Sequence, residues 1–370
     1  MRIGIDAKWF FKGNPSGKVV VRNLVRELLA ADKVNEYFIF LRKEDRGQEF
    51  PYQLPNVRLV YIWGGNNLLS NALVTPFYAR RYRIDVFLYQ YFGPLFKFSK
   101  VVTLIHDVIF ESHPEYFSFK ERLYFRPMRF LARKADRIVT ISQNERNRLI
   151  RYRYGSAGSI EAVHLGVSDR FRAAELSPSE QERVRKKYGL PPDFVLYVGR
   201  LNLRKNIHHL IEAFSHMNGS ELKLVLAGSY DWKMFDVPQY INKLGLSEKV
   251  HLAGFVDDMD LPVIYQMACI FCFVSYEEGF GLPPLEAMAS GTPVVVAHKG
   301  SLPEVCGEAG VYVDPDQPEQ IAAAIRELER DAGLLARKKE MVLDRSADFT
   351  WRQTAEKYLD VFNSVWKERN

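Results

Sequence analysis

FVLYVGRLNLRKN, residues 194 to 206, is the stretch that decides the fold. It opens on an unbroken apolar run, the pattern of a strand covered on both faces of a sheet. The strand stops at Gly199, and Arg200 and Lys205 emerge just beyond its carboxyl end. Open parallel sheets bind their ligands at that end. A forked guanidinium and an ammonium there suit the two phosphates of a diphosphate, although a solvated basic loop would look the same from these residues alone.

Similar apolar runs recur along the chain. RIGIDA, EYFIFL, VRLVYI, IDVFLYQ, VVTLIHDV and RIVTIS come before this strand; LKLVLAG, KVHLAGF, CIFCFVS, TPVVVA and GVYVDP come after it. Helical stretches such as VVVRNLVRELLAAD and PEQIAAAIRELERD lie between most of them. Strands alternating with helices imply parallel sheets covered on both faces. The polar stretch 168–194 separates two such series. The expected fold is therefore α/β, two Rossmann-like domains with parallel sheets facing across a cleft. Their expected extents are 1–172, completed by the last helix at 351–370, and 173–350.

The 370 residues exceed what one ordinary core needs, which agrees with two domains. A composition 47% hydrophobic and 26% charged is that of a soluble globular protein. The N-terminus, MRIGIDAKWF, lacks a signal peptide's apolar core, and no apolar run approaches a bilayer's width, so a cytoplasmic protein is expected. Three cysteines argue against a disulfide framework. Cys269 and Cys272 fall within MACIFCFVS, where residues three apart point to opposite faces of a strand, so packing is expected rather than a metal. A net charge of +6 suits an acidic ligand or an anionic surface without demanding nucleic acid.

SYEEGFGLPPLEAMASGTPVV, residues 275 to 295, sets Glu278 and Glu286 on either side of a Gly-Phe-Gly-Leu-Pro-Pro turn. Gly279 and Gly281 let backbone approach a ligand, and Pro284 suits the first position of a helix that Gly291 ends. Amides around Phe280, Gly281 and Leu282 at a helix N-terminus attract an anion. Each acid can accept hydrogen bonds from hydroxyls, so the stretch suits a ligand carrying diphosphate, ribose and sugar. Standing alone, Glu286 would read as a first-turn acid complementing the helix dipole.

Four further features have bland counterparts. GNPSGKV, residues 13 to 19, has three residues between its glycines where a Walker loop has four, and Val19 stands where Mg²⁺ needs a hydroxyl. It is expected to be a glycine turn reaching the cleft, with Gly17 opening a helix. Asp258 and Asp260 form D-x-D before an apolar-periodic run, where helix capping is the expected role. His106 follows VVTLI at a carboxyl end, either structural or facing a ligand clamped by the other domain. SFKERLYFRPMRFLARKADRI opens with a capping box at Ser118 and Glu121, and Pro127 should kink or split its helix. Arg122, Arg126, Arg129, Arg133 and Arg137 fall within an arc of about 80° on a helical wheel. Anionic lipid headgroups would attract such a stripe, and an ordinary exposed face would also carry it.

VGRLNLRKN, EEGFGLPPLEAMASGTPVV, SLPEV and GVYVDP, in that order over residues 195 to 315, resemble the retaining glycosyltransferases of family 4, also called group 1, of the GT-B fold. TLIHDV, RIVTIS and VHLGVSDRF extend the resemblance over most of the first half. The resemblance implies a metal- and cofactor-independent enzyme. It implies that Gly199, Arg200 and Lys205 bind the diphosphate of a donor such as UDP-glucose or GDP-mannose. It further implies Glu286 on the ribose, Glu278 and His106 on the transferred sugar, and the 279–282 turn on phosphate. Together with the arginine stripe it suggests a saccharide acceptor on a lipid carrier, at the inner face of the cytoplasmic membrane, in surface or exopolysaccharide synthesis. PSGKVV departs from the family's glycine-richer loop. The competing classes are a sugar-nucleotide 2-epimerase of similar architecture and a non-catalytic nucleotide-sugar-binding protein.

Overall fold

The computed structural model describes residues 1–172, 176–229 and 235–368. The chain divides into two compact units, Met1–Gly166 with Thr350–Asn370, and Val167–Phe349. The division falls six residues before the position expected from sequence, at the edge of the undescribed residues 173–175. Phe171 explains the shift. It is buried within the second unit, its ring 5.8 Å from Tyr265 and its carbonyl accepting a hydrogen bond from the Ser290 hydroxyl.

The first unit holds β1 (Arg2–Asp6), β2 (Glu36–Arg42), β3 (Val57–Ile62), β4 (Val86–Gln90), β5 (Lys100–Ile105), β6 (Arg137–Thr140) and β7 (Ile160–Ala162). All pair in parallel, in the order β3-β2-β1-β4-β5-β6-β7. β7 was not anticipated. It is a three-residue edge strand whose Glu161 faces solvent, so it carries no apolar run.

Helix Pro15–Ala31 buries Val20, Val21, Leu24, Val25, Leu28 and Leu29, the stripe that a period of about 3.6 residues places on one face. It packs against the last helix, Trp351–Lys367, which starts on a Thr350–Gln353 capping box and buries Tyr358, Phe362 and Val365. The C-terminal helix thus belongs to the first unit.

The second unit holds β8 (Phe194–Val198), β9 (Lys223–Ala227), β10 (Val250–Gly254), β11 (Ile270–Phe273), β12 (Val294–Ala297) and β13 (Val311–Val313). Their order is β10-β9-β8-β11-β12-β13, again all parallel. In each sheet the order reverses once, beside β1 and β4 in the first unit and beside β8 and β11 in the second. Those two switch points are where ligands bind in open α/β sheets. Cys272 is buried in β11 and Cys269 lies just before it, both free thiols.

The arginine stripe does not survive as one helix. Pro127 divides it into Phe119–Phe125 and Pro127–Ala132, and Arg137 opens β6. Arg129, Arg133 and Arg137 donate to the carbonyls of Tyr152, Arg153 and Gly158, and Arg137 also pairs with Glu368 at 2.8 Å. These three arginines tie down the 152–158 turn and the last helix. Arg122 and Arg126 stay exposed, next to the exposed apolar side chains of Phe119, Leu123 and Phe130.

Candidate active site

In the second unit the loops after β8 and β11 meet at the switch point. The first makes a short 3-10 turn, Leu203–Lys205, capped by the Asn202 side chain, which accepts from the Lys205 amide at 3.1 Å. Asn206 then takes a left-handed conformation, φ +59°. It is fully buried, and its amide nitrogen donates to the carbonyls of Val274 and Pro315 at 3.1 and 2.6 Å. Arg204 donates to the Glu277 carbonyl at 2.9 Å, and the Tyr276 amide donates to the Arg204 carbonyl. The two loops are thereby sewn together. Neither Arg204 nor Asn206 was singled out from sequence, although both lie inside the motif.

This sewing brings Lys205 and Glu278 into contact, Nζ to Oε1 at 2.5 Å, with each side chain close to nine-tenths buried. Burial by itself would raise the Glu278 carboxyl; the charges of Lys205 and Arg204, with the hydrogen bond from Lys205, outweigh it and hold the group below the ordinary range. The sequence reading gave these residues separate partners, phosphate and sugar. The structure makes them one pair, and the ammonium's three donors allow it to hold Glu278 and a phosphate oxygen together. Arg200 is exposed, its backbone fixed by the Tyr197 hydroxyl donating to its carbonyl at 3.1 Å.

The helix after β11 runs Leu282–Ala289 on an N-cap at Gly281, φ +119°. It starts two residues before Pro284, so Glu286 lies in the second turn rather than the first and is not a dipole partner. Pro283 and Pro284 have no N–H, which leaves the amides of Gly281 and Leu282 as the donors of the helix entrance. The turn beneath them is rigid. The buried Ser301 hydroxyl lies 3.0 and 2.6 Å from the carbonyls of Glu278 and Phe280, and the Phe280 ring packs edge-on against Phe349. Gly279 is buried in the same turn. Ser301 begins the SLPEV motif, whose structural task the sequence did not disclose.

Glu286 accepts a hydrogen bond from the buried Tyr265 hydroxyl at 3.1 Å. Burial pushes its carboxyl up to about 7, and the Tyr265 hydrogen bond and the Arg170 charge offset this only in part. It is the kind of perturbed group that clusters at functional sites.

The floor of the site is made by glycines at the strand ends. Gly199 has φ +151° and Gly228 φ +142°, and a Cβ on Gly228 would lie 1.9 Å from the Gly199 carbonyl oxygen. Gly228 was missed because a lone glycine after LKLVLA reads as an ordinary strand end.

One expectation holds with an added steric reason, and one fails on local geometry. The Gly17 amide donates to the Asn14 cap at 2.6 Å, and a Cβ at Gly17 would strike the Trp9 ring at 2.6 Å. Gly17 thus lies in the first turn of helix Pro15–Ala31, as expected, and also makes room for Trp9. Asp260 sits at the N-cap of helix Leu261–Met267 without making a side-chain cap. It instead accepts from Arg183, Lys187 and Tyr188 at 2.7, 2.6 and 2.8 Å. Burial raises its carboxyl, yet these three donors bring it down to about 2.

His106, at the end of β5 in the first unit, is buried, with Nε2 3.1 Å from Gln90 Oε1 and its ring stacked on Tyr91. Burial pushes its imidazole down to about 4, so it is neutral at pH 7. A buried histidine held neutral stabilises the fold above its unfolded value near 6.5, and that stability is lost as pH falls from there through about 4. His106→Gln is expected to flatten the fall in unfolding temperature between pH 6.5 and 4.5, measured by circular dichroism.

Two parallel-sheet Rossmann-like units are the architecture of the GT-B fold. The chain belongs to the group 1, or family 4, glycosyltransferases: residues 180–343 match the family described as Glycosyl transferases group 1, and residues 17–171 match Glycosyltransferase Family 4. It is 29% identical over 363 residues to the O-antigen chain mannosyltransferase B of Escherichia coli, an alignment taking in 92% of this chain and 93% of that protein. It is 30% identical over 276 residues to the serotype-specific mannosyltransferase WbdA of Escherichia coli, taking in 72% of this chain and 34% of WbdA. Among solved structures, sucrose-phosphate synthase of Thermosynechococcus elongatus shares the fold with a TM-score of 0.77 at 21% identity over the whole of both chains. HepE of Anabaena, solved with UDP and glucose, superposes with a TM-score of 0.74 at 19% identity over 98% of this chain and 99% of that one.

Proposed function

We propose that this glycosyltransferase moves a hexose from a nucleotide-diphospho-sugar to a saccharide hydroxyl with retention of configuration, using no metal ion or other cofactor. The observation that carries the reading is the Lys205–Glu278 pair at the switch point, beside the amides of Gly281 and Leu282. Arg200, Lys205 and those amides take the charge that develops on the departing diphosphate. A phosphate oxygen of the donor accepts the proton of the attacking hydroxyl, so no protein nucleophile is needed. Glu278 and His106 hold the transferred sugar, and Glu286 the ribose.

Both relatives described above are named mannosyltransferases, which favours GDP-mannose over UDP-glucose as donor. The O-antigen in one of those names favours a lipid-linked saccharide of a bacterial surface polymer as acceptor. The deciding experiment incubates the protein with each nucleotide sugar and a mannose-terminated acceptor on a hydrophobic tail, and reads the product's anomeric configuration by proton NMR. An inverted product rejects retention, and a 2-epimerised nucleotide sugar or unchanged ligand rejects transfer itself.

Glu286 gives a pH-dependent expectation. Its folded value is raised, so its contribution to stability is present below the ordinary range near 4.5 and is lost as pH rises through about 7. Ribose hydroxyls donating to the carboxylate would favour its ionised form, so GDP-mannose binding near pH 7 is expected to release a proton. Calorimetry in buffers of different ionisation enthalpy measures that release, and Glu286→Gln should abolish it.

A peripheral contact with an anionic membrane also belongs to this reading. Among the described residues no helix is long and apolar enough to cross a bilayer. Leu69, Leu73 and Phe77 are exposed along the helical segment 67–81, and Phe77 meets the exposed Phe98 and Phe96 at ring distances of 5.8 and 6.3 Å. Arg80 lies over Phe98 and Lys134 over Phe130. Residues 63–83, 86–106 and 122–135 contain ten Lys or Arg and no Asp or Glu. Apolar rings bordered by cations suit the headgroup boundary of an anionic bilayer. Phe77→Ser with Phe98→Ser is expected to abolish co-sedimentation with phosphatidylglycerol vesicles, whereas Arg129→Ala, which disturbs a tie within the unit, should not.

A further inference from the structure

The switch point of the first unit surrounds His106 with three side chains from the ends of β1 and β4. Gln90 Oε1 lies 3.1 Å from its Nε2. Tyr91 stacks on its face with ring centroids 5.2 Å apart and planes 26° from parallel. Trp9 lies 6.2 Å from the imidazole and 5.6 Å from Tyr91. Trp9 is itself seated against Gly13 and Gly17, where any Cβ would strike its ring.

The backbone here is strained. The Phe92 amide donates to the Gln90 carbonyl at 2.7 Å, closing a γ-turn in which Tyr91 has φ +62°. Bulky residues rarely take that conformation, and such strain persists only where surrounding contacts over-determine it. They do so here. The Tyr91 amide donates to the Leu104 carbonyl at 2.8 Å, and the Asn71 side chain donates to the Gln90 carbonyl at 3.1 Å. Asn71 is held in turn by a buried ion pair, donating to Asp6 at 2.8 Å and accepting from Lys8 at 2.5 Å, with Lys8 and Asp6 2.7 Å apart.

We propose that Gln90 and Tyr91 are positioning residues for His106: Gln90 holds the imidazole as its Nε2–H tautomer, and Tyr91 fixes the ring plane. An amide oxygen only accepts, so Nε2 must carry the proton and Nδ1 is left as an acceptor. The group that His106 receives must then be a donor such as a sugar hydroxyl, and an unprotonated phosphate oxygen is refused. The proposal rests on the assignment of His106 to the transferred sugar. Gln90 Nε2, buried and without a hydrogen-bond partner among the described residues, marks the same place as short of one acceptor.

The test uses the full chain with ¹⁵N-labelled histidine. Long-range ¹H–¹⁵N spectra at neutral pH are expected to show His106 protonated at Nε2. Gln90→Leu should mix the tautomers and slow GDP release from GDP-mannose roughly tenfold, the worth of one neutral hydrogen bond, with little change in KM. Gln90→Glu, which still accepts, should restore Nε2 protonation and part of the rate. Tyr91→Gly relieves the turn but removes the ring, so it should fold and lose rate, while Tyr91→Phe should keep it. An Nδ1–H tautomer in the native protein, or an unchanged tautomer in Gln90→Leu, overturns the proposal. Tautomers that shift as expected with an unchanged rate uphold it, and place the failure in the assignment of His106 to the sugar.

Discussion

Lys205→Ala is expected to slow transfer by roughly 100- to 1000-fold, the range seen when one preorganised donor to a developing charge is removed. Stability will fall as well, because the substitution strands Glu278, which is only 9% exposed, without its counter-ion. Breaking a buried pair by removing one partner costs up to about 3–5 kcal/mol, and less here because Arg204 still acts on the carboxyl. The two losses can be separated. Without Lys205 the Glu278 carboxyl loses its main source of lowering, so burial raises it. The stability deficit of Lys205→Ala should then be small at acid pH and grow as pH rises through the new value. Adding Glu278→Gln removes the stranded charge and should recover most of the unfolding temperature. It should recover none of the transfer rate, since the amide replaces neither the ammonium at the phosphate nor the carboxylate at the sugar. Thermal unfolding and single-turnover rates on the two single variants and the double variant close this cycle. A double variant that regained transfer would show Lys205 to be a structural counter-ion alone.

Much of this was legible in the sequence because apolar runs and their punctuation are local signals. FVLYVG, LKLVLAG and CIFCFV each announce a strand covered on both faces, and the stretch after each strand end is where a parallel sheet puts its ligand residues. Lys205, Glu278 and Glu286 were found this way. Relations between distant segments were hidden. Nothing in RLNLRKN says that Arg204 will donate to the carbonyl of Glu277, or that Lys205 will pair with Glu278. The split at Pro127 was expected; what a helical wheel hid is that Arg129, Arg133 and Arg137 turn to the carbonyls of the 152–158 turn. The contact of Gly17 with Trp9 was hidden because the ring is eight residues away and reaches it by folding back over the loop. Tyr91 gave no signal at all, since an aromatic residue never advertises a positive φ.

Gly228→Ala should have the largest effect on stability. Its φ of +142° already excludes most side chains, and the added carbon would meet the Gly199 carbonyl oxygen at 1.9 Å and the carbonyl carbon at 2.8 Å. Backbone cannot rotate away as a side chain could, because both glycines are held in the sheet. The Gly199 amide donates to Ala227 at 2.9 Å, and the Gly228 amide donates to Gly254 at 2.7 Å. Relief must therefore separate the ends of β8 and β9, at a cost expected to exceed about 4 kcal/mol. For a unit of this size that lowers the unfolding temperature by roughly 8 to 16 °C. Gly219→Ala supplies the comparison, since that glycine also has positive φ, +75°, but nothing lies within 4 Å of its Cβ position. Its cost should be that of the backbone conformation alone, about 1 kcal/mol. The difference between the two variants measures the steric contact itself. Because Gly199 opens the loop that carries Arg200 and Lys205, any Gly228→Ala protein that remains folded should also bind GDP-mannose more weakly. Gly219→Ala should bind it as the native protein does. Equal unfolding temperatures for the two variants would mean that the strand ends yield freely, and that the glycine floor does not set the place of Lys205.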